Sequence, residues 1–150
     1  MKVQTILAKK ATNVVTIHPE QTLREAARLL AERNIGALVV VNEAARPVGI
    51  LSERDIIRAA ARHDDAFSWP VSHIMTRELI TGVPQDDVRS VMHTMTEKRF
   101  RHLPILEHGE LVGIVSIGDV VKAQRDEYQG ELDTLQIQVI AGQTSRQSGA

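Results

Sequence analysis

The sequence predicts an α/β (α+β) fold made of two tandem copies of one β-α-β-β-α unit, packed about a pseudo-twofold, with a helix at the C-terminus. Three observations predict it. The chain repeats itself, each repeat alternates short apolar β segments with amphipathic helices, and the composition is that of a globular protein. Residues 15–59 read VTIHPEQTLREAARLLAERNIGALVVVNEAARPVGILSERDIIRA, and residues 80–123 read ITGVPQDDVRSVMHTMTEKRFRHLPILEHGELVGIVSIGDVVKA. At an offset of 65, Thr16/Thr81, Pro19/Pro84, Arg24/Arg89, Glu32/Glu97 and Leu38/Leu103 coincide. After a one-residue deletion, Val48/Val112, Gly49/Gly113, Ile50/Ile114, Ser52/Ser116, Asp55/Asp119 and Ala59/Ala123 coincide. A similar lead-in precedes each copy, Val3…Ile6-Leu7 and Val71…Ile74-Met75. Two copies are too few for a solenoid.

Each element follows from its local pattern. A short β segment (Val14–Ile17; Leu79–Val83) ends at a proline, which cannot donate to a ladder. The helix after it has Leu23, Ala26, Ala27 and Leu30 on its apolar face in copy one, and Val88, Val91, Met92 and Met95 in copy two, at i, i+3, i+4, i+7. Thr22 with Glu25 forms a capping box, and Asp87 is the matching N-cap. Next comes a strand, Ala37–Val41 or Leu103–Leu106, whose continuous apolar run predicts burial on both faces. A turn leads to a second strand, Val48–Leu51 or Leu111–Val115, and a second helix opens at Ser52 or Ser116. The division is 1–61 for the first unit, 62–72 (RHDDAFSWPVS) for a linker, 73–125 for the second unit, and 126–150 for a further helix and tail. Tyr128, Leu132, Leu135 and Val139 support a helix over about 126–140, and the terminal GQTSRQSGA is expected to be disordered.

Composition excludes several functions. There are 18 Lys+Arg and 19 Asp+Glu, a net charge of −1, which argues against a nucleic-acid binder. Aromatic residues make up 3%, too few for a surface that reads single strands by stacking. There is no cysteine, hence no disulfide, thiolate metal site or cysteine nucleophile. No apolar run reaches membrane-spanning length, and MKVQTILAKKATNVV is not a signal peptide, so the expectation is a cytoplasmic protein without membrane partners. The six histidines lack metal spacing, and no Walker, Gly-x-Gly-x-x-Gly or Gly-x-Ser-x-Gly motif occurs.

The chemistry-bearing segments are Gly49-Ile-Leu-Ser52-Glu-Arg54-Asp55 and Gly113-Ile-Val-Ser116-Ile-Gly118-Asp119. Ser-x-x-Asp at a helix start reads as an N-cap with an acidic first turn. The same arrangement also suits a nucleotide. The free N–H groups, the dipole and the Ser hydroxyl hold a phosphate, while the carboxylate accepts from a ribose diol. Gly118 would let backbone approach the ligand. Lys98-Arg99-Phe100-Arg101-His102-Leu103-Pro104 reads either as a solvated basic helix end or as a phosphate contact through Arg101 and His102, with Pro104 against a base. Copy one has Gly36-Ala37 there, and Arg54 is its available cation.

The duplicated unit, SERDI and RHLPILEHGELVGIVSIGDVV resemble a pair of cystathionine-β-synthase (CBS) domains, a Bateman module, over residues 1–125. The resemblance implies two clefts between the units that bind adenosine derivatives, with AMP foremost and ADP, ATP, S-adenosylmethionine or NAD(H) as others. It implies that Asp119 takes the ribose and Ser116 the phosphate, that Arg101 and His102 line the phosphate side, and that Ile80, Thr81, Leu103 and Pro104 hold the adenine. The first cleft would use Thr16, Ala37, Ser52, Arg54 and Asp55, less well equipped because it lacks the Arg101-His102 pair. Members of the family dimerise through the second helices of each unit, so a homodimer is expected. The implied function is a free-standing, non-catalytic regulatory module that senses adenylate or pyridine-nucleotide state and acts on a partner protein by population shift. The alternatives are a scaffold with unoccupied clefts, a nucleotide hydrolase, for which no metal site or general base is visible, and a DNA binder, for which there is no recognition-helix signature.

Overall fold

The computed structural model describes residues 1–10 and 14–148, with side chains through residue 142. Helix α1 (Val3–Lys10) leads. Copy one follows as β1 (Thr16–Ile17), α2 (Leu23–Arg33), β2 (Ala37–Val41), β3 (Pro47–Ser52) and α3 (Glu53–Arg62). Two 3-10 turns (Ala66–Ser68, Val71–His73) connect it to copy two, which has α4 (Val88–Lys98), β4 (His102–Glu107), β5 (Glu110–Ser116) and α5 (Ile117–Ser148).

In copy one, β1 runs parallel to β2 (Thr16↔Val39), and β2 runs antiparallel to β3 (Leu38↔Leu51). Strand β2 is buried at every position, as its unbroken apolar run requires. In copy two, β4 and β5 pair alone (Leu103↔Val115). The expected strand at Leu79–Val83 is reduced to one parallel bridge, Gly82 to Ile105. Gly82 N–H donates to the Pro104 carbonyl, and Leu106 N–H donates to the Gly82 carbonyl, each at 2.9 Å. The next rung back would need the N–H of residue 104, and proline has none. Val39 stands at that position in copy one, so its ladder continues.

The capping box at Thr22–Glu25 is present. Asp87 is the N-cap of α4 by backbone position, but its side chain makes no capping hydrogen bond. Its carboxylate lies 3.9 Å from the Met1 ammonium instead. The helix expected over 126–140 is present, as the continuation of the second helix of copy two rather than a separate element: α5 runs unbroken from Ile117 to Ser148. No proline or cap interrupts it, and Gly118, Gly130 and Gly142 are tolerated within it. Its helical backbone therefore enters the tail expected to be disordered, of which residues 149–150 lie outside the described residues.

The two cores do not follow the boundaries of the repeats. The first gathers Ile17, Leu23, Leu30, Leu38, Val40, Leu51 and Ile56, together with Val71 and Met75 from the lead-in of copy two. The second gathers Val88, Val91, Met95, Leu103, Ile105, Val115 and Val120, together with Val3 and Ile6 of α1. Each lead-in thus packs on the other repeat. Backbone hydrogen bonds seal the exchange. Thr76 and Ile50 trade bonds of 2.9 and 3.0 Å, Val71 N–H donates to the Gln21 carbonyl, and Val3 N–H donates to that of Asp86. Two equivalent glycines make room for it. A Cβ on Gly49 would lie 2.7 Å from Met75 Sδ, and one on Gly113 would collide with Leu7 Cδ2.

Candidate functional site

Both second helices open with the same reciprocal cap. Ser52 N–H donates to Asp55 Oδ2 at 2.9 Å, and Asp55 N–H donates to Ser52 Oγ at 3.3 Å. Ser116 N–H donates to Asp119 Oδ2 at 2.9 Å, and Asp119 N–H donates to Ser116 Oγ at 3.1 Å. The capping reading of Ser-x-x-Asp is therefore correct for both copies. In each cap one carboxylate oxygen, Oδ1, is left free of the cap itself.

Each cap borders a cavity in the size range of small-ligand pockets. The first, of about 410 Å³, is lined by Ser52, Arg54 and Asp55 from copy one and by Ile80, Arg101, His102, Pro104 and Ser116 from copy two. The second, of about 550 Å³, is lined by Ala37 from copy one and His102, Ser116 and Asp119 from copy two. Gly36, His102 and Ser116 border both, so they form the partition between the clefts.

This arrangement corrects the sequence-based grouping. Ile80, Arg101 and Pro104 line the cleft of Asp55, not that of Asp119. The exchanged lead-ins are the cause. The backbone pair between Ile50 and Thr76 carries Glu78 to Ile80 past the start of α3, and α1 brings Lys10 to the start of α5. Four expected residues line neither cleft. Leu103 is buried in the second core, and Thr16 borders a separate groove with Arg46 and His108. Thr81 and Gly118 are exposed outside both cavities. A Cβ on Gly118 would make only an ordinary contact of 3.6 Å with Ser116 Oγ, so no close approach depends on that glycine.

The structure also adds residues that sequence reading missed. Glu53, Arg58, Glu78 and Arg99 join the first cleft, and Lys10 and Arg33 join the second. Continuing the lead-in alignment from Leu7/Met75 pairs Lys10 with Glu78, a signal legible in the sequence.

Lys10 changes the second cleft. Its Nζ donates to Asp119 Oδ2 at 2.7 Å and to the Ile114 carbonyl at 3.0 Å. Burial pushes the Asp119 carboxyl up, but the hydrogen bonds from Lys10 and Ser116 outweigh it and hold the group below its ordinary value. Asp55 has no such partner: among the described residues it makes no ion pair. On the partition, burial is the main influence lowering His102 below the ordinary imidazole value, and Lys10 and Arg101 lower it further against the pull of Glu53 and Asp119. His102 is accordingly neutral at pH 7.

The cleft geometry defines the class: a tandem module with two interfacial clefts at helix N-termini. The CBS domain family matches residues 7–62 and 71–126, and the chain belongs to that family. It is 39% identical over 114 residues to a CBS domain-containing protein of Bacillus subtilis, covering 75% of this chain and 80% of the relative. A CBS-domain protein of Agrobacterium tumefaciens superposes with a TM-score of 0.79 at 38% identity, covering 83% of this chain and 99% of that one. A CBS domain protein of Pyrobaculum aerophilum, solved with AMP, superposes with a TM-score of 0.72 at 31% identity, over 79% and 89% of the two chains. The CBS domain pair of MJ0100, solved with 5′-methylthioadenosine and S-adenosyl-L-methionine, gives 0.75 at 28% identity, over 85% and 98%. Among the described residues no helix is long and apolar enough to cross a membrane, and no group of His, Cys, Asp and Glu could hold a metal.

Proposed function

We propose that the protein is a non-catalytic regulatory module that binds an adenosine nucleotide between its repeats and transmits occupancy to a partner protein. The observation that carries this reading is the first cleft. Asp55, which makes no ion pair among the described residues, shares with Arg54, Arg58, Arg99 and Arg101 the lining of a cavity of about 410 Å³. The carboxylate suits a ribose diol, the N-terminus of α3 with Ser52 and the arginines suit phosphate, and Ile80 with Pro104 suits an adenine face. Asp119 and Ser116 play the same parts in the second cleft. The AMP held by the Pyrobaculum relative supports AMP as the ligand, with ADP, ATP or NAD(H) as longer occupants of the same chemistry. The reading is one of binding without turnover, in the cytoplasm and away from membranes, and the net charge of −1 offers no basic excess for nucleic acid.

The repeat also points to a homodimer through the second helices. Ile57 on α3 and Val121 on α5 occupy equivalent positions, and both are exposed, at 65% and 49%. Tyr128, Leu132, Leu135 and Val139 continue from Val121 along α5 at alternating spacings of four and three, a seam suited to a second copy of the same helix. The contrasting reading, a scaffold with empty clefts, rests on this same exposed helix.

The test is a thermal-shift panel on nucleotide-free protein with AMP, ADP, ATP, NAD⁺ and S-adenosylmethionine, comparing wild type with Asp55→Asn. At 100 times its Kd a ligand stabilises by about 2.7 kcal/mol, a rise of roughly 5 °C or more for a chain of this size. The expected result is such a rise with AMP, reduced in Asp55→Asn to what the second cleft contributes, and sedimentation as a dimer that Ile57→Glu weakens. No shift with any ligand in folded protein would leave the scaffold.

A further inference from the structure

We propose that Lys10 makes the second cleft selective for phosphorylated ligands, by holding Asp119 until a ligand brings an anion to replace it. The inference rests on the reading that Asp119 receives a ribose diol. Asp119 Oδ2 already accepts from Ser116 N–H and from Lys10 Nζ. Oδ1 is free of both, so a diol that uses both carboxylate oxygens competes with the ammonium for Oδ2. The Lys10 and Asp119 side chains are only 31% and 23% exposed, so the contact is partly withdrawn from water. Displacing Lys10 without a new anion leaves a part-buried ammonium with only the Ile114 carbonyl as acceptor, which is costly. A nucleoside offers no anion. A nucleotide carries its own phosphate, and the flexible four-carbon stem lets the ammonium follow it. The ion pair therefore opposes adenosine and is exchanged for another ion pair by AMP.

Two comparisons on the molecule sharpen this. The repeat counterpart of Lys10 is Glu78, which lines the first cleft, so Asp55 is not held this way. Arg33 also lines the second cleft, but among the described residues it makes no ion pair with Asp119. Arg33 attracts phosphate without guarding the diol site.

The experiment is calorimetric titration of the full chain carrying Asp55→Asn, which weakens the first cleft, with AMP and adenosine as probes. Lys10→Met is expected to tighten adenosine, to weaken AMP or leave it unchanged, and so to lower the preference for AMP about tenfold or more, the size of one charge-assisted hydrogen bond. Lys10→Arg is expected to retain the preference. Arg33→Met is expected to weaken AMP while leaving adenosine unchanged, which separates guarding from simple attraction. An unchanged AMP-to-adenosine ratio in folded Lys10→Met overturns the proposal. So does the absence of AMP binding to the second cleft in both proteins. If AMP still binds wild type through Asp55, only the Lys10 inference falls. If AMP binds neither cleft of wild type, the functional reading falls with it.

Discussion

The two clefts share a partition and the same Ser-x-x-Asp cap, yet they differ in charge. Around Asp55 stand four arginines, and the lead-in residue beside it is Glu78. Around Asp119 stand Lys10 and Arg33, and Lys10 is hydrogen-bonded to the carboxylate. Identical backbone machinery has thus been given residues of opposite charge, Glu78 and Lys10, at equivalent positions of the two lead-ins. Duplication supplies two clefts with the same cap, and the segments that cross between the repeats set the charge beside each.

The largest effect should come from making the first cleft resemble the second. Glu78→Lys places a cation where Lys10 stands in the other copy. It is expected to weaken adenosine binding at Asp55 by about tenfold, on the scale of a charge-assisted hydrogen bond, with AMP much less affected. Calorimetry in an Asp119→Asn background checks it, and equal losses for both ligands would show general damage to the site. On the same free-energy scale are the glycines that admit the lead-ins. Gly49→Ala and Gly113→Ala should each destabilise the fold by about 1–3 kcal/mol in urea melts. Gly49→Ala should cost more, because its Cβ would also lie 3.1 Å from the Thr76 carbonyl, whose backbone is fixed to Ile50. Shortening Met75 should relieve part of that cost, and no relief would mean that Met75 is not the obstruction.

The smallest effect concerns the partition. With His102 lowered in the folded state, the unfolded chain binds the extra proton first. Stability from this group is complete above about pH 6.5, the unfolded value, and is lost as the pH falls through the lowered folded value. Melts between pH 5 and 8 should show this slope in wild type and lose it in His102→Gln. Phosphate in either cleft should raise His102, so AMP binding near pH 6.5 should be accompanied by proton uptake, visible as a buffer-dependent heat.

Much of this was legible in the sequence. The apolar runs gave α2, β2 and α4, and Ser-x-x-Asp gave both caps, because these depend on residues within one turn of each other. The composition of the clefts was not legible from local pattern. Arg101 and Pro104 were grouped with Asp119 because they lie in the same copy, whereas the exchange of lead-ins places them opposite Asp55. That choice is made by long-range packing of Val3, Ile6, Val71 and Met75, and no local period encodes it. The missing strand in copy two was readable in principle, since Pro104 removes the N–H on which its next rung depends.

The crossing of the lead-ins also governs how the molecule can come apart. Cutting the chain between the repeats would leave each half holding a segment that belongs in the other's interior and missing the one that fills its own. A solitary repeat could close its core only by trading arms with a twin. Joined in one chain, the halves stand or melt together, and the clefts lie along the seam that this mutual dependence creates.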